Sequence, residues 1–222
     1  MNSFFSNKLK ANKYFSILKK YKKSFSRDFI LKNYGLFIGD KALFKLLKIF
    51  ELMKEIKDVK GDVIEFGVWN GNNIILMKKI ADFLKINKKI IGYDNFKGMT
   101  KADGGNLFKG DIHLINYITN FFKLKKIKII KDDILNLKKN FNKIPKLSLI
   151  YIDCDMFKTT DLILKLLHKK LSKNGLIVFD EALLGKGGEG KAAKLFFSKH
   201  KSNFTKLVLK KNYQPDLVFK KK

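Results

Sequence analysis

The sequence predicts a doubly wound α/β fold on a seven-stranded, mostly parallel sheet. Helices cover both faces, an antiparallel hairpin closes the C-terminal end, and a helical extension precedes the domain. Three observations lead there: short apolar runs alternate with helical stretches from Gly61 onward, the first run ends in a glycine-bearing turn, and the last two are separated only by NYQP. Strands spaced by helices pair in parallel through right-handed crossovers. A connection as short as NYQP permits only antiparallel pairing.

Taken in order, Asp40 to Val59 places Leu43, Leu46, Leu47, Phe50 and Met53 at three- and four-residue steps, the spacing of an amphipathic helix. DVIEF reads as the first strand, with a helix over about 72–84, and KIIGY as the second, with a polar loop and a helix over about 115–124. IKII is the third and LSLIYI the fourth, followed by a helix over about 160–171. LIVF is the fifth, followed by a helix over about 191–200, and TKLVLKK and DLVFKK form the hairpin. No internal repeat or Pro- or Gly-rich linker divides the chain, so 1–58 reads as the extension and 59–222 as one domain.

With 222 residues, 45% of them hydrophobic and 21 of them Phe, the chain can bury one sizeable core. Cys154 stands alone, which excludes an intramolecular disulfide and suits a reducing, cytoplasmic compartment. No apolar run approaches the roughly 18 to 20 residues that span a bilayer, and MNSFFSNKLK lacks the apolar stretch of a signal peptide. A net charge of +28 attracts polyphosphates and anionic lipids whatever the fold. Yet Arg27 is the single arginine among 48 basic residues, whereas phosphate and base-edge readers favour the bidentate guanidinium. Lysine is spread over the whole chain with Asn, Ile and Phe, as an AT-rich coding sequence would give, so a solvated lysine surface is the expectation and nucleic acid is not. The first 24 residues differ, because KLKANKYFSILKKYKKSF sets Lys among Phe and Tyr at helical spacing. Such a helix can lie on an anionic membrane surface or cover a neighbouring copy in a homo-oligomer, and a plain packing helix is the simpler reading.

In open parallel sheets ligands collect beyond the carboxyl ends of the strands. The first strand ends in Glu65 and runs into Gly67-Val68-Trp69-Asn70-Gly71, where glycines let backbone amides approach a ligand. The second ends in Asp94, where a carboxylate can accept both ribose hydroxyls of an adenosine. A dinucleotide site shares this layout, but the spacing from Gly67 to Gly71 is not G-x-G-x-x-G. A carboxylate at Glu65 would also repel a pyrophosphate, whereas it suits the ammonium of a methionine moiety. Both details point to S-adenosylmethionine.

The blocks GDVIEFGVWNG, YDNFKGM, YIDCDMFKTT, NGLIVFDE and GEGKAAKLFF, in this order, resemble the macrocin O-methyltransferase family from about Lys41 onward. That resemblance implies a Rossmann-like class I methyltransferase fold and methylation of a sugar hydroxyl with S-adenosylmethionine and a divalent metal. It further implies cofactor contacts at Glu65, Gly67, Gly71 and Asp94, and Asp133 near the adenine. Asp153 closes the fourth strand, and Asp180 with Glu181 closes the fifth. Parallel strands lie about 5 Å apart, so these carboxylates are expected to converge on one Mg²⁺. The family pattern has two consecutive Asp after the fifth strand; here the second is Glu181, and Asp155 is the nearest substitute ligand. Metal-bound vicinal hydroxyls would be fixed and acidified for attack, with Asp153 beside the reacting oxygen. The resemblance also implies a His base in the region after the second strand, where His113 stands alone, either as that base or as a surface or acceptor-contacting residue.

Gly185 to Lys191, GKGGEGK, fits most of a phosphate-binding loop, but Ala192 follows where Ser or Thr would bind Mg²⁺, and Glu189 puts a negative charge inside it. It reads instead as a lid over the acceptor pocket. The competing functions are an NAD-dependent oxidoreductase and a non-catalytic module binding nucleic acid or membrane.

Overall fold

The computed structural model describes residues 16, 26–99, 107–183, 188–207 and 213–222. The basic stretch at the N-terminus, Ser16 apart, and residues 184–187 of the expected lid lie outside them. Strands β1 (Asp62–Phe66), β2 (Ile90–Asp94), β3 (Ile127–Lys131), β4 (Leu147–Ile152), β5 (Leu171–Phe179), β6 (Phe204–Leu207) and β7 (Leu217–Lys221) form one sheet. Its order is β3-β2-β1-β4-β5-β7-β6, and β7 alone runs against its neighbours. This is the doubly wound arrangement with an inserted antiparallel strand that the alternating pattern predicts.

The sheet is covered on both faces, which is why β4 is a continuous apolar run and every one of its residues is buried. Elsewhere the two-residue period of a strand sorts side chains into two cores. Ile64, Phe66, Ile91 and Tyr93 share one with helices α5 (Leu137–Asn140), α6 (Phe157–Leu167) and α7 (Glu189–Lys199), while the short α1 (Arg27–Lys32) precedes the other helices named here in the chain. Val63, Val68 and Ile90 share the other with α2 (Asp40–Glu55), α3 (Asn72–Phe83) and α4 (Ile112–Phe121). Helix α4 starts earlier than its apolar spacing suggests because the Asp111 side chain accepts the backbone N–H groups of His113 and Leu114, a strong N-cap.

Helix α2 falls in the expected N-terminal extension, yet it belongs to the second core through Ile49, Leu52 and Met53. Burying each such side chain contributes roughly 1.5–3 kcal/mol. Its other attachment is to the segment before β7: Phe44 stacks on Tyr213 at 4.2 Å, and Lys48 Nζ donates to the carbonyls of Tyr213 and, at 2.7 Å, Pro215. Together these contacts bring Lys45 to the carboxyl ends of β4 and β5. Other interior lysines also donate to backbone carbonyls. Lys88 reaches Val59 and Gly61, and Lys221 reaches His168 and Leu171. Among the described residues no helix is long and apolar enough to cross a membrane.

Candidate active site

A cavity of about 1070 Å³ opens beyond the carboxyl ends of β1, β2, β4 and β5. Gly67, Trp69, Asp94, Asp133, Asp153 and Asp180 are among its walls. Its volume is of the size that encloses a small-molecule ligand.

The turn from β1 into α3 is built on backbone that only glycine accommodates at two points. Gly67 has φ +84°, and a Cβ there would meet the carbonyl oxygen of Asp153 at 1.8 Å. Gly71, at φ +81°, caps α3 with the side chain of Ile115 directly beyond it. Asp94 ties this turn to β2: Oδ2 accepts the N–H groups of Val68 at 2.7 Å and Trp69 at 2.9 Å, and Oδ1 accepts that of Phe96 at 2.6 Å. An ionised carboxylate offers about four acceptor positions. Asp94 therefore keeps room for about one hydroxyl, not the two that its place at the strand end suggests. Asp133 caps a 3₁₀ turn by accepting the Leu135 N–H at 2.8 Å, and lines the cavity with the apolar Ile134 and Leu135.

Between the two walls runs a chain of polar groups. Glu65 is 1% exposed; its Oε1 accepts from Asn73 Nδ2 at 2.8 Å, and Oε2 has no partner among the described residues. Burial pushes its carboxyl up to about 8, against the opposing effects of Asn73 and Lys45. Asn73 Nδ2 also donates to Asp153 Oδ2 at 3.4 Å. The Lys45 ammonium lies 3.8 Å from that oxygen and 2.8 Å from Asp180 Oδ1, which in turn accepts from the Tyr151 hydroxyl. Burial, followed by the charge of Asp180, drives the Asp153 carboxyl well above the ordinary range. Burial pulls the Lys45 ammonium the other way, but Asp180 and Asp153 outweigh it and raise its pKa.

Of the three expected metal ligands, Asp153 and Asp180 do meet, but they meet around Lys45. Glu181 turns aside, its Oε1 accepting from Gln214 Nε2. Among the described residues no three His, Cys, Asp or Glu side chains stand where they could hold a metal ion. As arranged, the donor set does not fit a divalent cation. His113 is exposed and lines a neighbouring pocket with Phe96, Lys109 and Lys131, apart from the cavity that contains Asp153.

Glu189, noted in the sequence only as an acid out of place in a phosphate loop, turns out to organise the site. Its Oε1 accepts the N–H groups of Cys154 at 2.7 Å and Asp155 at 3.0 Å, its Oε2 has no partner among the described residues, and burial raises its carboxyl to about 7. Beside it the Gly188 N–H donates to the Asp155 carbonyl at 2.6 Å. The start of α7 is thus docked on the loop leaving β4 and fixes the backbone that carries Asp153. Lys45, Asn73 and Tyr151 carry no sequence signal of comparable strength.

Residues 6–130 match the family model described as Macrocin-O-methyltransferase (TylF). Two structures of CalS11, described as a calicheamicin methyltransferase and as a TDP-rhamnose 3'-O-methyltransferase, superpose with TM-scores of 0.72 and 0.70 at 17% and 18% identity. They cover 97% of this chain and 93% and 95% of their own. The O-methyltransferase NovP aligns with a TM-score of 0.62 at 17% identity over 80% of this chain and 78% of its own. SMU.1697c from Streptococcus mutans, solved in complex with S-adenosylhomocysteine (SAH), gives 0.53 at 14% identity over 78% and 97%. At these identities the likeness shows a shared fold. No curated protein matches the sequence.

Proposed function

The chain belongs to the macrocin O-methyltransferase family, whose model matches more than half of its length, and on that premise we propose that it methylates a sugar hydroxyl. It is an S-adenosylmethionine-dependent O-methyltransferase of Rossmann-like fold. A nucleotide-linked deoxysugar or a surface-polysaccharide precursor is the proposed acceptor, in keeping with the TDP-rhamnose in the description of CalS11.

One observation carries the assignment of the cofactor: among the described residues a buried carboxylate oxygen of Glu65 lacks a partner, two residues before the cavity-lining Gly67. That oxygen suits an ammonium and would repel a pyrophosphate. In this reading Glu65 takes the methionine ammonium, the turn between Gly67 and Gly71 supplies backbone contacts, Asp94 takes a ribose hydroxyl, and Asp133 with its apolar neighbours borders the adenine. When bound, the cofactor supplies an electrophilic methyl on a sulfonium leaving group. Asp153 lines the same cavity beside Lys45, and an ionised carboxylate there can accept a proton. An acceptor hydroxyl held there would give its proton to Asp153, while the bound cofactor would supply the methyl group and keep the sulfur electron pair. Trp69 and Phe108, edge to face at 6.0 Å, both line the cavity and help exclude water from it.

Mg²⁺ at Asp153, Asp180 and Glu181 forms no part of this reading, because Lys45 lies between the first two and Gln214 holds the third. His113 as general base has no support from its place in the adjoining pocket. Calorimetry with S-adenosylmethionine tests the cofactor, and Asp94→Ala is expected to weaken binding by more than tenfold by freeing three backbone N–H groups. A screen of sugar nucleotides for methyl transfer, run with Mg²⁺ and with EDTA, tests the acceptor class. Binding of NAD as strong as that of S-adenosylmethionine would refute the assignment.

A further inference from the structure

We propose that Lys45 is the resident cation of the Asp153–Asp180 pair, so that this pair does not act as a divalent-metal site in the working enzyme. The proposal rests on the methyl-transfer reading and goes beyond it.

Three features of the structure converge on this role. The Lys45 side chain is 18% exposed, and its ammonium sits 2.8 Å from Asp180 and 3.8 Å from Asp153, between the two carboxylates on which a metal would depend. It is held there by its helix and not by chance: Ile49, Leu52 and Met53 anchor α2 in the core, and Phe44 and Lys48 bind it to Tyr213 and Pro215. Finally, the carboxylate that would complete a metal site, Glu181, is engaged by Gln214, a neighbour of those same two residues. The contacts that direct Lys45 inward are continuous with those that turn Glu181 aside.

Two carboxylates this close repel one another unless a cation lies between them. Lysine supplies it permanently and without the six-fold oxygen geometry that Mg²⁺ demands. An ammonium also has three N–H groups. Asp180 takes one, and Asp153, at 3.8 Å, is beyond hydrogen-bond reach, so donor capacity remains for an acceptor oxygen in the cavity that Lys45 lines. An N–H to that oxygen stabilises it as its proton passes to Asp153, which is the orienting and acidifying work expected of a metal. Lys45 stays protonated throughout.

Titration of the protein with Mn²⁺, followed by the electron paramagnetic resonance of the free ion, tests the proposal without an acceptor. Lys45→Gln is expected to bind Mn²⁺ roughly tenfold or more tightly than the unaltered protein, because it leaves the two carboxylates uncompensated. Lys45→Arg, which keeps the charge, should bind no better than the unaltered protein, and adding Asp180→Asn to Lys45→Gln should abolish the gain. Equal Mn²⁺ affinity with and without Lys45, or a gain that survives Asp180→Asn, would overturn the proposal. SAH calorimetry on the same samples reports folding of each variant. It also separates the two readings, since failure of the unaltered protein to bind SAH defeats the methyltransferase assignment while the Mn²⁺ comparison still decides the role of Lys45.

Discussion

The wall proposed to face the cofactor comes largely from one stretch of chain, Glu65 to Asp94, whereas the wall around Asp153 draws Lys45, Tyr151, Asp180, Glu189 and Gln214 from across the sequence. The first is shaped by backbone: left-handed glycines, and a carboxylate accepting N–H groups a short distance along the chain. The second is shaped by charge, with acids that would repel one another held by a lysine and by the end of a distant helix. A locally encoded wall can be read from its motif. A wall assembled at long range depends on the whole fold and shows in no single motif.

The sharpest way to break this contrast is at a point where the walls touch. Gly67→Ala drives a Cβ into the Asp153 carbonyl at 1.8 Å from a backbone at φ +84°. Its cost is expected to exceed the roughly 0.5–3 kcal/mol of ordinary point substitutions. Denaturant unfolding should show that loss, with S-adenosylmethionine binding abolished. Gly35→Ala, with nothing within 4 Å, is the control that should leave both unchanged.

A middle-sized effect belongs to the long-range wall. Glu189→Ala leaves the N–H groups of Cys154 and Asp155 unpaired, at about 1–3 kcal/mol, and should lower kcat more than cofactor affinity because it loosens Asp153 and spares Glu65. Glu189→Gln keeps an acceptor and should recover most of the loss. Acidity gives a second readout. The carboxyls of Glu189 and Glu65 rise from 4.5 to about 7 and about 8, so the folded state holds their protons more tightly than the unfolded one. Their favourable contribution is full below about pH 4.5 and is lost as pH climbs through 7 and 8. Urea unfolding of the ligand-free protein should therefore show stability falling across that interval, and Glu189→Gln should flatten its lower part.

The smallest effect is expected at His113. Losing a general base costs about 10²–10⁴ in rate. His113→Ala, in the adjoining pocket, should fall far short of that in methyl-transfer assays on whichever sugar nucleotide the screen identifies.

How much was legible follows the same divide. DVIEF and LSLIYI match β1 and β4 end to end, because strands covered on both faces are written as mostly apolar runs whose few polar residues do not break them. LIVF covers only the second half of β5, whose first half is polar at Ser172, Lys173 and Asn174, with Asn174 at φ +63° within the strand. The start of α4 was hidden by the capping role of Asp111, which periodicity does not register. At the site, the glycine turn and the strand-end acids announce themselves by type and spacing. Lys45 does not. Among so many lysines nothing local distinguishes it, and its meaning comes from Asp180, to which only the folded chain brings it.

The interior lysines that donate to backbone carbonyls have a further consequence. Lys48, Lys88 and Lys221 each donate to two peptide oxygens of segments distant in the chain. An acylating reagent meets their amines already engaged, while the solvated lysines of the same chain stand open to it. The pattern of sparing and labelling is thus a record of tertiary structure written in the commonest residue of the protein, and it fades residue by residue wherever the packing around those carbonyls is undone.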